Sequence, residues 1–197
     1  MPFSQACENN KGPILSILKL LLTEPVTVVE IGSGTGQHSA YLSEHLPHIL
    51  WQPTDLQCNL NGVERWRVQS QHKNLKPAIA LNVQDNVWPI DAADVFFSAN
   101  TAHIMSWDEV KLFMLGVGKH LPKGGLLCLY GPFKYNGAFT SESNKAFDLH
   151  LKDVDPTRGI RDFEAIQQLA RESELELVAD YKMPANNQML VWRKVSE

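Results

Sequence analysis

Hydrophobic positions along the chain fall into two rhythms, one helical and one of short continuous runs. Ile14, Leu15, Ile17, Leu18, Leu21 and Leu22 share one broad helical face, with Pro13 placed for the first turn and Pro25 beyond the end. That spacing predicts an amphipathic helix. Residues 26–31, Val-Thr-Val-Val-Glu-Ile, form a β-branched run suited to a buried parallel strand. A glycine loop follows, and Ala40, Tyr41, Leu42, His45 and Leu46 then recur at helical spacing until Pro47 stops them. The alternation continues with strands predicted over 49–53, 76–81, 93–98 and 125–130 and helices over 60–69 and 108–120. A helix over 161–173 and strands over 175–182 and 188–193, parted by Pro184-Ala185-Asn186-Asn187, close the pattern.

Strands alternating with helices imply an α/β fold, a mostly parallel sheet with helices on both faces. Two final strands with no helix between them imply a C-terminal antiparallel hairpin. This seven-stranded layout resembles the Rossmann-like fold of class I methyltransferases. No linker, repeat or low-complexity tract interrupts it, so a single domain over 1–197 is expected, capped by an N-terminal segment over 1–24. Residues 134–160 fit the alternation least. They hold Tyr135, Phe139, Phe147, His150 and Arg158 among many polar residues and are too long for a bare loop. A lid-like insertion with a helix over 143–151 is predicted.

Composition changes this picture mainly by exclusion. The 197 residues are 44% hydrophobic and 20% charged, enough for a core that needs neither disulfide nor metal. A net charge of −4 without a basic run offers no electrostatic footprint for nucleic acid. Cys7, Cys58 and Cys128 are odd in number, far apart and without ligand-spaced histidines, which argues against a disulfide framework or a zinc site. His38, His45, His48 and His103 are too dispersed to suggest a metal. Cys128 lies in an apolar run and reads as an inert buried thiol. The most apolar stretch, 14–22, is broken by Ser16 and Lys19 and falls short of the ~20 residues that span a bilayer. Residues 1–10 lack the layout of a signal peptide. A cytoplasmic location with no membrane partner is the default expectation; oligomeric state is not legible.

The candidate chemistry begins at Glu30-Ile31-Gly32-Ser33-Gly34-Thr35-Gly36, directly after a strand and directly before a helix. The chain must turn sharply there and let a ligand approach its backbone, and glycines permit both. The GxGxG spacing is neither GxGxxG nor a P-loop. S-adenosylmethionine presents a zwitterionic amino-acid end and a sulfonium where a dinucleotide presents a pyrophosphate. An acidic Glu30 suits the cationic group, and it is expected to act on the amino group directly or through water. Asp55, about 20 residues past the glycines at the end of the second strand, is placed to accept hydrogen bonds from both ribose hydroxyls, with Leu56 beside it. Asn82 and Val83 end the third strand, where an amide can meet the adenine edge and an apolar side chain can pack on the ring. Taken alone, the glycines are only a tight βα turn; Asp55 and Asn82 at successive strand ends make the cofactor reading the stronger one.

Ser98, at the end of the fourth strand, completes the expected cofactor contacts. The loop after it carries Asn100 and His103, candidates to orient or deprotonate a nucleophile. A purely structural His103, anchoring its loop by hydrogen bonding, is the plainer alternative, and Trp107 reads as packing. Phe133, after the fifth strand, is a candidate pocket wall. Arg158 and Arg161 can clamp an anionic substrate or pair with Asp153, Asp155 and Asp162 on the surface.

Several runs resemble a known family nearly end to end. They include Glu8-Asn9-Asn10-Lys11, Glu30 to His38, Trp51-Gln52-Pro53, Ser98-Ala99-Asn100, Leu129-Tyr130-Gly131-Pro132-Phe133, Thr140-Ser141-Glu142-Ser143-Asn144, Gly159-Ile160-Arg161-Asp162 and Met183-Pro184-Ala185-Asn186-Asn187. The chain is similar to the small methyltransferase-like proteins that include human methyltransferase-like protein 26. The resemblance implies a class I methyltransferase fold and adenosylmethionine binding but supplies no substrate. Where relatives often carry Asp this chain has Asn82, whose amide both donates and accepts. The resemblance also sets Glu8, Asn10, Asn144 and Arg161 in motif stretches outside the cofactor core. It implies that the N-terminal segment and the lid close over the cofactor, with Asn10, Phe133, Asn144 and Arg161 holding the acceptor.

The expected reaction is transfer of the sulfonium methyl to an O, N or S nucleophile on a small-molecule acceptor. The alternatives are a non-catalytic adenosylmethionine-binding or protein-interaction module and, disfavoured by Glu30 and the GxGxG spacing, an NAD-dependent oxidoreductase.

Overall fold

The structure is a computed structural model that describes residues 1–91 and 93–196. Two compact units, Met1–Ser98 and Ala99–Glu197, divide the chain. The first runs α1 (Gln5–Leu21), β1 (Thr27–Ile31), α2 (Gln37–His45), β2 (Leu50–Asp55), α3 (Leu60–Ser70), β3 (Ile79–Ala80) and β4 (Val95–Ala99). The second runs α4 (Trp107–His120), β5 (Leu126–Gly131), β6 (Phe133–Lys134), α5 (Glu142–Val154), β7 (Arg161–Asp162), α6 (Phe163–Glu172), β8 (Leu175–Met183), a single 3-10 turn (Pro184–Asn186) and β9 (Asn187–Lys194). Seven strands form one sheet in the order β3-β2-β1-β4-β5-β9-β8. Its β1–β2, β1–β4 and β2–β3 pairs are parallel, and its β5–β9 and β8–β9 pairs are antiparallel. This is the Rossmann-like methyltransferase architecture that the alternation implies.

Within the first unit, β1 is buried from Val28 to Ile31, and β2 from Trp51 to Asp55. That explains why both read as continuous runs rather than as alternation. The first helix departs from expectation. It begins at Gln5, where the Ser4 side chain caps the Cys7 amide, and so places Pro13 in its interior. Asn10, Ile14, Leu15 and Leu18 make up its buried face. A polar residue fills the first of those positions, so the hydrophobic pattern misses the opening turns. Proline costs a helix interior about 3 kcal/mol, a loss that burial of Ile14 and Leu18, both 0% exposed, offsets. The third strand is shorter than the predicted 76–81. Pro77 has no N–H, and the Ala78 amide donates to Glu64 Oε1 at 2.6 Å instead of joining the ladder.

Within the second unit, α4 opens on a capping box between Ser106 and Glu109. Helix α5 spans more than the predicted 143–151, and α6 starts two residues later than expected. Arg161 and Asp162 are taken by a two-stranded parallel sheet with Phe133 and Lys134, a pairing too short to leave a period in the sequence. No described helix is long and apolar enough to cross a membrane. Cys128 is fully buried, and burial pushes its thiol up to about 12, consistent with an inert group.

Candidate functional site

In the first unit the site grows from the end of β1. The Gly32 and Ser33 amides both donate to the Thr54 carbonyl at 3.0 Å, and the Gly36 amide returns to the Ser33 carbonyl at 2.9 Å. This bend needs left-handed backbone at Gly32 (φ 73°), Gly34 (φ 57°) and Gly36 (φ 89°). The last two serve different ends. A Cβ at Gly36 would sit 2.8 Å from Val63 Cα, so glycine there lets α3 approach the loop; a Cβ at Gly34 would meet nothing within 4 Å. The loop is close-packed on one side and open on the other.

Asp55 holds the loop from the next strand. Its Oδ2 accepts from the Gly34 amide at 2.6 Å, and its Oδ1 accepts from the Leu56 amide at 2.7 Å and from Asn59 Nδ2 at 2.8 Å. Leu56 beside it is exposed. At the end of β3, Asn82 Oδ1 accepts from the Gln84 amide at 3.0 Å, forming a small turn, and the Val83 side chain is buried.

Glu30 lies deeper. It is 1% exposed, and its Oε2 accepts from Ser39 Oγ and from Trp51 Nε1 at 2.9 Å. Burial raises its pKa, and hydrogen bonds from Ser39, Trp51 and Ser33 oppose the rise. The Ser33 hydroxyl that faces Glu30 is itself buried. Ser98 is wholly buried and donates to the Ile31 carbonyl at 2.7 Å, bracing the strand that ends in the loop. The Thr35 hydroxyl donates to Gln37 Oε1 at 3.1 Å.

Helix α1 is locked to the two residues that follow the loop. Gln37 Oε1 accepts from the Ser4 amide, and Gln37 Nε2 donates to the Ser4 carbonyl and to Glu8 Oε2. Next to it, His38 Nε2 lies 2.6 Å from Asn10 Oδ1, with both side chains buried. An amide oxygen only accepts, so Nε2 carries the hydrogen. Burial, aided by Lys11, lowers the His38 pKa to about 4, so the ring is neutral at pH 7. The Asn10 of the substrate expectation is thus half of a buried pair. No role is legible for Gln37 and His38 in the sequence; their signal is only their place in the first turn after the glycines.

The second unit gathers Asn100, His103 and Gly131. Asn100 adopts a left-handed φ of 58°, with its amide donating to the Tyr130 carbonyl at 2.9 Å. A Cβ built on Gly131 would lie 3.8 Å from His103 Nδ1 and 3.9 Å from Asn100 Oδ1. Imidazole and amide therefore converge on one small space beside the end of β5. His103 is buried, its ring edge-on to Phe147 with centroids 5.3 Å apart. Burial, then Arg161 and Arg158, lower its pKa to about 4.

The other expected acceptor residues sit in the framework of this unit. Phe133 is 1% exposed. Asn144 donates from Nδ2 to Thr140 Oγ1 at 3.0 Å and to the Asn186 carbonyl at 3.2 Å, tying α5 to the turn before β9. Arg158 pairs with Asp155 at 3.7 Å, whereas Arg161 turns its guanidinium on backbone carbonyls. Asp148, which the sequence pattern leaves without a role, is 2% exposed and accepts from the Ile160 amide at 2.7 Å and Lys152 Nζ at 2.6 Å. Its signal is the buried stripe Asn144, Asp148 and Leu151 at helical spacing on α5. Among the described residues, no three His, Cys, Asp or Glu side chains are grouped to hold a metal.

Comparison with known proteins adds a family. The chain belongs to the DUF938 family of proteins of unknown function, whose profile matches residues 1–194. In fold it is similar to an O-methyltransferase family protein from Burkholderia thailandensis, with a TM-score of 0.84 at 16% identity over 97% of this chain and 58% of that one. An O-methyltransferase family 2 protein from Planctomyces limnophilus, solved with apigenin, gives 0.77 at 16% identity over 89% and 52%. Human N-acetylserotonin methyltransferase, solved with S-adenosylmethionine, gives 0.77 at 14% identity over 98% and 53%. This DUF938 chain spans little more than half the length of the solved proteins it matches.

Proposed function

We propose that this DUF938 protein transfers a methyl group from S-adenosylmethionine to a small-molecule acceptor. The observation that carries the reading is the pairing of Asp55 with the amide of Gly34, a loop glycine whose Cβ direction is open. An acid fixed at a strand end beside bare backbone suits a nucleoside sugar. The Ser33 hydroxyl supplies one more polar group at the loop. The methyltransferase fold of the solved neighbours points the same way.

On this reading the backbone from Gly32 to Gly36, with Ser33 and Thr35, holds the amino-acid end. Asp55 accepts from the ribose, Leu56 and Val83 flank the adenine, and the Asn82 amide meets its edge. Glu30, buried behind the loop, acts on the amino group directly or through water, and Ser98 keeps β4 in register with the loop. When bound, the cofactor supplies an electrophilic methyl on a sulfonium. The protein's part in the second unit is to take a proton from the acceptor at a His103 nitrogen, with Asn100 orienting the same group. A neutral imidazole beside two arginines is available at pH 7 but is a weak base. That favours acceptors whose proton is itself acidic, such as phenols or carboxylic acids, over alkyl amines and alcohols. Phe133 and Asn144 shape this region from within.

Two measurements test the proposal. Titration calorimetry is expected to show saturable binding of S-adenosylmethionine and S-adenosylhomocysteine and none of NAD. Incubation with methyl-labelled cofactor and a small-metabolite extract is expected to move label into low-molecular-weight product. Binding without transfer would leave a cofactor-binding module; tight NAD binding would overturn the reading.

A further inference from the structure

Arg161 spends its guanidinium on the loop that carries His103. Its Nε donates to the Ala102 carbonyl at 3.0 Å, and its Nη2 donates to the Met105 carbonyl and, at 2.9 Å, to the Thr157 carbonyl. Two of these carbonyls bracket His103 in sequence. The third belongs to the 157–161 segment, which meets the same loop by its backbone, the Gly159 amide donating to the His103 carbonyl at 3.0 Å. The arginine's own position is fixed three times over: by the Phe133–Arg161 pairing of β6 and β7, by the Ile160 amide on Asp148 Oδ1, and by the Trp107 ring 5.8 Å from its guanidinium carbon. Gly159 is required for this approach, since a Cβ there would lie 2.9 Å from Asp148 Oδ1.

A planar fork with several fixed donors suits this task, whereas an ammonium on a flexible stem cannot serve carbonyls on both sides of the imidazole with one geometry. The bonds run from a charged donor to backbone acceptors in a half-buried setting, where they are stronger than neutral ones. The surface ion-pair reading holds for Arg158, which faces Asp155 at 3.7 Å, and gives way for Arg161. Asp162 pairs with Lys134 at 3.3 Å, and the Arg161 donors that the structure engages are turned inward.

We infer that Arg161 is a positioning residue for His103: by holding the Ala102, Met105 and Thr157 carbonyls together, it fixes the loop that presents the imidazole beside Asn100 and Gly131. The inference rests on the reading of His103 as the group that handles the acceptor's proton. It assigns a task to the Gly159-Ile160-Arg161-Asp162 stretch that needs no substrate contact. The charged groups that act on the imidazole are Arg161 and Arg158; Asp155 pairs with Arg158, and Asp148, paired with Lys152, acts on Arg161.

The test is nuclear magnetic resonance of the full-length protein, free of cofactor and acceptor, with isotope-labelled histidine and arginine. A His103→Gln variant assigns the His103 signals. In the wild type the His103 ring protons should be displaced by the Phe147 ring current, and the ring should titrate near pH 4. Arg161→Gln removes both fork and charge. It should lose most of that displacement and raise the His103 midpoint by about one pH unit, leaving the His48 and His120 signals in place. Arg161→Lys keeps the charge but not the fork, so it should lose the displacement while the midpoint stays low. Unchanged displacement in both folded variants would overturn the inference. Should neither variant fold, the wild type decides: a slowly exchanging Arg161 Nε–H with a cross-peak to Ala102 supports the clamp, and a freely exchanging one refutes it. Because no cofactor is present, failure here leaves the methyltransferase reading standing, and failure of cofactor binding leaves the clamp standing.

Discussion

Gly36→Ala is expected to unfold the protein under conditions where Gly34→Ala leaves it folded. Both glycines are left-handed, at φ 89° and 57°, which costs an alanine about 1–2 kcal/mol. Only at Gly36 does the new Cβ also strike backbone, 2.8 Å from Val63 Cα and 3.2 Å from its carbonyl oxygen. Backbone cannot rotate away as a side-chain tip can, so overpacking adds about 1–3 kcal/mol. A total on the order of 4 kcal/mol is a large part of the roughly 5–15 kcal/mol that holds a domain folded. Gly34→Ala has open space and pays only the conformational term, but its methyl enters the space assigned to the ligand. Its loss should appear in binding, with the Kd for S-adenosylhomocysteine raised at least ~30-fold, equivalent to about 2 kcal/mol. Urea unfolding and calorimetry on the two variants check this; a Gly36→Ala protein as stable as Gly34→Ala would contradict the packing described here.

Acid is expected to strip several kcal/mol from the fold through His38 and His103. Each has its pKa lowered from 6.5 to about 4 in the folded state. Above pH 6.5 both rings are neutral whether folded or not, and no proton is linked to folding. As pH falls from 6.5 to 4 the unfolded chain takes up protons that the folded one refuses, and stability falls; below 4 the loss levels off. A shift of that size corresponds to about 3 kcal/mol for each histidine. Glu30 works in the opposite direction. Its folded pKa is raised, so its contribution is largest at low pH and is lost as pH rises. Comparing variants with the wild type cancels that contribution. His38→Gln keeps a donor for Asn10 and should remove close to half of the stability lost between pH 6.5 and 4 in urea titrations. An unchanged acid limb in both His38→Gln and His103→Gln would show that neither ring is held neutral by the fold.

What the sequence makes legible follows from which forces leave a period or a motif. The glycine loop and Asp55 are legible because they occupy consecutive strand ends, where a buried strand must give way to a turn. The inner strands β1, β4 and β5 are legible because continuous, mostly apolar runs mark burial on both faces. The opening of α1 is not, since Asn10 takes a core-facing position and hides the helical stripe. Nor is the truncation of β3, which depends on Glu64 reaching from α3 to the Ala78 amide. The His38–Asn10 pair joins residues 28 apart, and the Arg161 fork reaches 56 residues back to Met105. Such contacts belong to tertiary structure and leave nothing local to read. Arg161 shows the consequence. As a residue type it suggests an anion clamp, and only the carbonyls it faces reveal a scaffold.

The central claim is that the glycine loop and Asp55 hold an adenosyl cofactor, and amide chemical-shift mapping during titration with S-adenosylhomocysteine tests it most directly. Saturable shifts centred on Gly32, Gly34, Gly36, Asp55, Leu56 and Val83, abolished in Gly34→Ala, are the predicted result. Saturation with no change at those amides, or a response centred elsewhere on the chain, would contradict it.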